Sequence, residues 1–156
     1  MDNRILSRLS VADFHLLEPH LDPVDLPLRK PLESRNKKIT SVYFPESGFA
    51  SVVANGAGQQ SIEVGLIGRE GMTGVSVVLG HERALHETYM QAAGHGQCIS
   101  VANLEQAIEK SVTLHRVMLR YARSFLAQTA QKRPSPTVEI RLKNAWRAGC
   151  YWHVTG

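Results

Sequence analysis

The most informative segment of the chain is residues 65–74, GLIGREGMTG, which places four glycines within ten residues. It directly follows a strand-like run at residues 61–64 and precedes a short apolar run at residues 75–79. Glycine at this density lets the backbone adopt positive φ angles, and successive N–H groups can then converge on an anion. The segment therefore predicts a glycine-rich loop in a β-rich, ligand-sensing domain.

Length and composition set the class of protein. The 156 residues, 43% of them hydrophobic, suffice for one domain with a substantial core. No apolar run approaches the roughly 20 residues that span a bilayer, and the N-terminus lacks the apolar core of a signal peptide. Cys98 and Cys150 have neither metal-ligand nor disulfide-framework spacing. We therefore expect a cytoplasmic protein with no membrane partner.

Charge divides the chain into two parts. Residues 1–109 hold nine Lys and Arg against thirteen Asp and Glu, a net charge of −4. Residues 110–147 hold nine Lys and Arg against one acid, a net charge of +8. A basic segment beside an acidic body favours a polyanionic partner, but a solvated basic helix face explains the same pattern.

The middle of the chain reads as a β domain preceded by helices. Asn3 and Ser10 are placed to cap two short helices, and residues 24–28 alternate like an edge strand. Five further strands are predicted at residues 39–44, 49–54, 61–66, 88–92 and 96–100, with a hairpin turn at 55–58. Short strands with glycine turns predict a jelly roll, that is, a double-stranded β-helix.

The C-terminal part reads as helix. A short amphipathic helix is predicted at residues 101–110 and a long one at about 111–131. The long helix carries an apolar stripe of Leu114, Met118, Tyr121 and Phe125, which we interpret as a dimer interface. The alternative is a single helix that packs on its own β body. The predicted organisation is a sensor body at 1–110, a dimerisation helix at 111–133 and an irregular tail at 134–156.

This order of elements resembles the sensor half of the Crp/Fnr family of bacterial transcription regulators. The resemblance covers residues 3–132 and is carried by residues 43–48, YFPESG, and 64–74, VGLIGREGMTG. It implies a β-roll of the cyclic-nucleotide-binding type, a homodimer built on the long helix, and a winged helix-turn-helix that follows.

The phosphate-binding cassette departs from that family. The Gly-Glu pair that meets the ribose hydroxyls in nucleotide-binding members matches Gly74-Val75 here, and the Arg-Ser pair that meets the phosphate matches Arg83-Ala84. A carboxylate accepts hydrogen bonds from hydroxyls and a valine cannot, although Arg83 could still pair with a phosphate.

The positions that contact the base in the family match Gln128 and Thr129, both polar. With the cassette degenerate, cyclic-nucleotide binding is disfavoured, and no cofactor is expected.

The C-terminal residues also depart from the family. Residues 137–142 resemble weakly the start of the helix that opens its DNA-binding domain, and residues 144–156 lose the likeness. DNA binding is therefore expected only of a longer form that carries a helix-turn-helix.

A metal-dependent enzyme and a fragment of a full-length DNA-binding regulator are the two alternatives to a non-catalytic regulatory module. A cupin-like metal enzyme could draw ligands from His81-Glu82 and His86-Glu87, but the His-x-His pattern of such sites is missing, so no metal is expected. A nucleophile elbow and a P-loop are also missing, which argues against an enzyme. The third possibility is a fragment of a full-length DNA-binding regulator.

Overall fold

The structure, a computed structural model, describes residues 2–55 and 61–131. Five helices and seven strands follow one another along the chain: α1 (Arg4–Ser7), α2 (Val11–Leu17), β1 (Asp22–Leu26), β2 (Pro31–Glu33), β3 (Ser41–Pro45), β4 (Phe49–Asn55), β5 (Ser61–Ile67), α3 (Val75–Val78), β6 (Glu87–Ala92), β7 (Gly94–Ser100), α4 (Val101–Lys110) and α5 (Val112–Gln131). A single turn of 3₁₀ helix, Glu18–His20, joins α2 to β1.

The strands form two antiparallel sheets. One has the order β1-β7-β3 and the other the order β2-β6-β4-β5. Side chains from both sheets meet in one apolar cluster, in which Leu26 from the first sheet is buried with Val52 and Met90 from the second. Because alternate side chains of a strand point to opposite faces, one face of each sheet supplies this core. The mainly β jelly-roll fold predicted from the sequence is confirmed.

The helices form a second core at one end of the β body. Leu6 and Leu17 from the N-terminal helices are buried there together with Leu104 from α4. The capping residues act as predicted, because the Asn3 side chain accepts from the first turn of α1 and the Ser10 hydroxyl accepts from the N–H of Asp13. Val11, the first residue of α2, points away from this core and is 74% exposed.

The long helix belongs to this core, which corrects one prediction. Leu114 and Met118 are 0% exposed and Phe125 is 7% exposed within a single chain. Tyr121 is partly buried against the same two clusters. Because Leu114 and Met118 have no exposed surface and Phe125 has almost none, these three side chains cannot form the predicted dimer interface, whereas the part assigned to Tyr121 stays a prediction. The apolar stripe packs on its own β body, the alternative that the sequence left open.

Two elements escaped the sequence prediction. Strand β2 lies in a proline-rich stretch where no particular strand was predicted, and the apolar run after Gly74, which was given no secondary structure, forms the short helix α3. The predicted hairpin turn falls largely within residues 56–60, and the predicted tail falls within residues 132–156. Both lie outside the described part of the chain.

Candidate ligand pocket

The glycine-rich loop is held in place by backbone hydrogen bonds to β3. The N–H of Thr73 donates to the carbonyl of Tyr43 at 3.0 Å, and the N–H of Tyr43 donates to the Thr73 hydroxyl oxygen at 2.9 Å. Gly74 then begins α3 with φ +79°, where a Cβ atom would lie 2.6 Å from a methyl carbon of Val42. Glycine is required at this position because both the backbone conformation and the space exclude a side chain.

Asn3 ties this loop to the N-terminus. Its side chain is fully buried, and its amide nitrogen donates to the carbonyls of Pro45 at 2.8 Å and Gly71 at 2.9 Å. Its amide oxygen accepts from the N–H groups of Ile5 and Leu6. One side chain therefore joins α1, the end of β3 and the glycine-rich loop. The sequence predicted only its capping role, because its other partners lie 42 and 68 residues away.

A small pocket lies between this loop, the second sheet and the long helix. Its volume is about 40 Å³. Its apolar walls include Val52, Ile67 and Phe125, and Thr129 of α5 also lines it. Since a ligand cavity for a drug-sized molecule spans roughly 300–1,000 Å³, this pocket is too small for such a molecule.

Glu33 is the acidic side chain among the described residues that line the pocket. Its Oε1 atom accepts a hydrogen bond from the N–H of Gly74 at 2.5 Å. Burial raises the pKa of Glu33, and the bond from Gly74 opposes that rise. The Glu33 carboxylate therefore contacts the backbone of the loop that the sequence predicts to bind an anion. Its burial there costs desolvation free energy. No local motif predicts this contact, since Glu33 and Gly74 are 41 residues apart.

Thr88 places a second polar group on the pocket wall. It is 1% exposed, and its hydroxyl oxygen has no partner in hydrogen-bonding geometry. The hydroxyl nevertheless lies close enough to Glu33 to help lower the pKa of that carboxyl group. A buried hydroxyl without a partner costs roughly 1–3 kcal/mol, so it marks a place where a bound group would be stabilised.

The pocket has no positive charge among the residues described. No lysine or arginine lines it, and His86, which does, has its pKa lowered by burial and then by the nearby charge of Arg35. His86 is therefore held toward its neutral form. The electrostatic character of the pocket is set by Glu33.

The residues predicted to bind a ligand separate into two groups. Gly74, Val75 and Thr129 line the pocket together. Arg83 does not line it, because its side chain is exposed and its Nη1 donates to the carbonyl of Asn36 at 2.7 Å.

The other two predicted residues also lie apart from the pocket lining. Ala84 is 1% exposed and packs in the helical core. Gln128 is exposed on α5. The half of the cassette expected to hold a phosphate is thus not assembled here.

A serine, a histidine and a glutamate also meet outside the pocket, where β3 turns into β4. The hydroxyl of Ser47 lies 2.8 Å from Nδ1 of His95, and Nε2 of His95 lies 3.7 Å from the carboxylate of Glu46. The second distance exceeds a hydrogen bond, and the Ser47 oxygen already accepts from the N–H of His95. These contacts fasten the turn to β7 and do not form an activated nucleophile.

The fold is similar to those of several solved structures. No family model and no curated protein sequence matches the chain. Among solved structures, FixK2 from Bradyrhizobium japonicum aligns with a TM-score of 0.63 at 9% identity, over 71% of this chain and 55% of that one. A cyclic nucleotide-binding domain from Methylobacillus flagellatus aligns with a TM-score of 0.65 at 11% identity, over 83% and 76%. The fold is that of a cyclic nucleotide-binding domain.

The sensor domain of the transcriptional regulator DNR from Pseudomonas aeruginosa has this cyclic nucleotide-binding fold as well. It aligns with a TM-score of 0.62 at 11% identity, over 85% of this chain and 89% of that domain. This chain thus spans most of a sensor domain but only about half the length of FixK2. The neighbours share the architecture of this chain.

Proposed function

We propose that the chain is a non-catalytic ligand-sensing module of a Crp/Fnr-type transcription regulator, acting in the cytoplasm. The observation that carries the proposal is the position of α5, which lies over both the glycine-rich loop and the pocket. A Cβ atom on Gly71 would meet the Tyr121 hydroxyl at 2.5 Å, and one on Gly65 would meet the Phe125 ring at 3.0 Å. A group that entered the pocket would therefore press on the long helix.

The neighbours support a regulatory role. CLP from Xanthomonas campestris, described as a c-di-GMP-responsive global regulator, aligns with a TM-score of 0.61 at 16% identity, over 78% of this chain and 62% of its own. DNR is a transcriptional regulator whose sensor domain has the same fold. By analogy, we assign sensing to residues 2–131, and we propose contact with DNA only for a form that carries a helix-turn-helix.

We further propose that the module is a homodimer through the exposed face of α5. Val112, Leu119 and Leu126 repeat every seven residues on this face and are 72%, 37% and 42% exposed. This repeat aligns three apolar side chains along one exposed line of the helix, where the same helix of a second copy can pack. Arg116 and Arg123 lie beside it and limit its apolar character. This face is distinct from the buried stripe.

The cupin-like enzyme is less well supported. Within residues 2–55 and 61–131, no group of three or more His, Cys, Asp or Glu side chains could hold a metal ion. The carboxylates of the predicted site have other partners, since Glu87 accepts from the N–H of Arg35 and Glu82 lies 3.9 Å from Lys38.

Within residues 2–55 and 61–131, no helix is both long and apolar enough to cross a membrane.

Metal analysis of the purified protein separates these two functions. The sensor proposal predicts zinc, iron and manganese far below one ion per chain after gel filtration, because the described residues offer no ligand cluster. Stoichiometric metal that resists dialysis would favour the enzyme and contradict the proposal.

A further inference from the structure

The lining of the pocket indicates which class of ligand it binds. This inference rests on the proposed function, because it takes this pocket as the sensing site. In a pocket built for an anion, the N–H at the start of α3 would be free for the ligand. Here the N–H of Gly74 already donates to Glu33. The protein thus supplies its own carboxylate where a ligand phosphate would be held.

Two polar groups of the pocket, Glu33 and Thr88, suit a hydrogen-bond donor. The Oε1 atom of Glu33 accepts from Gly74, and the carboxylate can accept further bonds. The Thr88 hydroxyl lies near Glu33 but makes no hydrogen bond of ordinary geometry, so its oxygen can also accept. A phosphate presents only acceptors and negative charge to these groups, whereas an ammonium group presents three donors and positive charge. The described lining offers no cation to offset an anionic ligand.

The size of the pocket limits the ligand. On the measure by which one water needs about 10–15 Å³, its volume of about 40 Å³ admits roughly three or four non-hydrogen atoms. The walls beside the polar groups are apolar, formed by side chains such as Val52, Ile67 and Phe125. A charged head with a short aliphatic stem fits both features.

We propose that this pocket binds the ammonium head of a small primary amine, with Glu33 and Thr88 as its polar anchors. The ammonium donates to the free acceptor positions of the Glu33 carboxylate and to the Thr88 oxygen. Its aliphatic carbons contact Val52, Ile67 and Phe125, under the long helix. Cyclic nucleotides are excluded because their phosphate would face the Glu33 carboxylate.

Two probes of similar size and opposite charge test this proposal. n-Propylamine and propionate are titrated separately, up to tens of millimolar at neutral pH, into the ¹⁵N-labelled full chain, and amide shifts are followed by NMR. Propylamine should shift the amides of Gly74 and Thr88 saturably, with millimolar affinity. Propionate should bind at least about tenfold more weakly, since it places a second carboxylate beside Glu33.

Three variants locate the effect. Glu33→Gln keeps an oxygen for the N–H of Gly74 but removes the charge, and should weaken propylamine binding by about 10–100-fold. Thr88→Val removes the hydroxyl with little change of shape and should weaken it less. Arg83→Gln is the control, because Arg83 is exposed outside the pocket lining, and its affinity should equal that of wild type.

Several results would overturn the amine assignment: tighter or equal binding of propionate, full propylamine affinity in a folded Glu33→Gln variant, or no saturable shift at all. If Glu33→Gln fails to fold, Thr88→Val and the propionate comparison still decide the question. None of these results contradicts the sensor proposal, because the result that would contradict that proposal is stoichiometric bound metal.

Discussion

Replacing Asn3 with alanine should destabilise the folded chain by about 3–5 kcal/mol. The change leaves the carbonyls of Pro45 and Gly71 and the N–H groups of Ile5 and Leu6 without the partner they have now. Each buried polar group left unpaired costs roughly 1–3 kcal/mol, and the losses at one site are not fully additive. The free energy of unfolding measured by urea denaturation gives the result directly.

Ser10→Ala is the matched control for Asn3→Ala. Ser10 is also a helix-capping residue, but it is exposed, and its hydroxyl accepts one backbone hydrogen bond, from Asp13 at 3.2 Å. Loss of such a cap costs about 1 kcal/mol. If Asn3→Ala costs no more than Ser10→Ala, then Asn3 does not join the loop to the N-terminus as described.

Glutamate at position 118 should prevent folding. Met118 is 0% exposed, and its neighbours in the helical core are apolar side chains such as Leu104 and Leu114. Burying an unpaired charge costs several kcal/mol, which is comparable to the whole stability of a small domain. Circular dichroism of Met118→Glu should show a largely unfolded chain at a temperature where wild type is folded.

The neighbouring residue on the same helix gives the control. Leu119 is 37% exposed on the proposed dimer face, so Leu119→Glu should leave the fold intact and weaken self-association. Sedimentation velocity at micromolar concentration should find a dimer for wild type and a monomer for Leu119→Glu. A folded Met118→Glu chain would contradict the packing of α5. A monomeric wild type would contradict the dimer.

The sequence was sufficient to predict most of the elements and not the orientation of the long helix. Alternation and glycine turns identify strands because they reflect local backbone geometry. An apolar stripe at Leu114 and Met118 shows only that one face of the helix is buried. Burial against the chain's own β body and burial against a second copy impose the same periodicity, so periodicity cannot distinguish them.

The candidate site was predictable in part for a similar reason. The glycine-rich loop is a local signal, and it led to Gly74 and Val75. The partners that define its chemistry, Glu33 and Thr88, come from distant strands and form no motif. The positions of Arg83 and Ala84 depend on how the chain leaves α3, and spacing alone did not determine that path.

Calorimetric titration of the wild-type chain with cAMP and cGMP tests whether Glu33 fills the anion position of this cyclic nucleotide-binding fold. A valine at position 75 leaves ribose hydroxyls unpaired, and such losses weaken binding by a factor on the order of a thousand. If Glu33 fills that position, neither nucleotide should give a saturable binding heat at micromolar concentration. Micromolar binding of either one by wild type would contradict it.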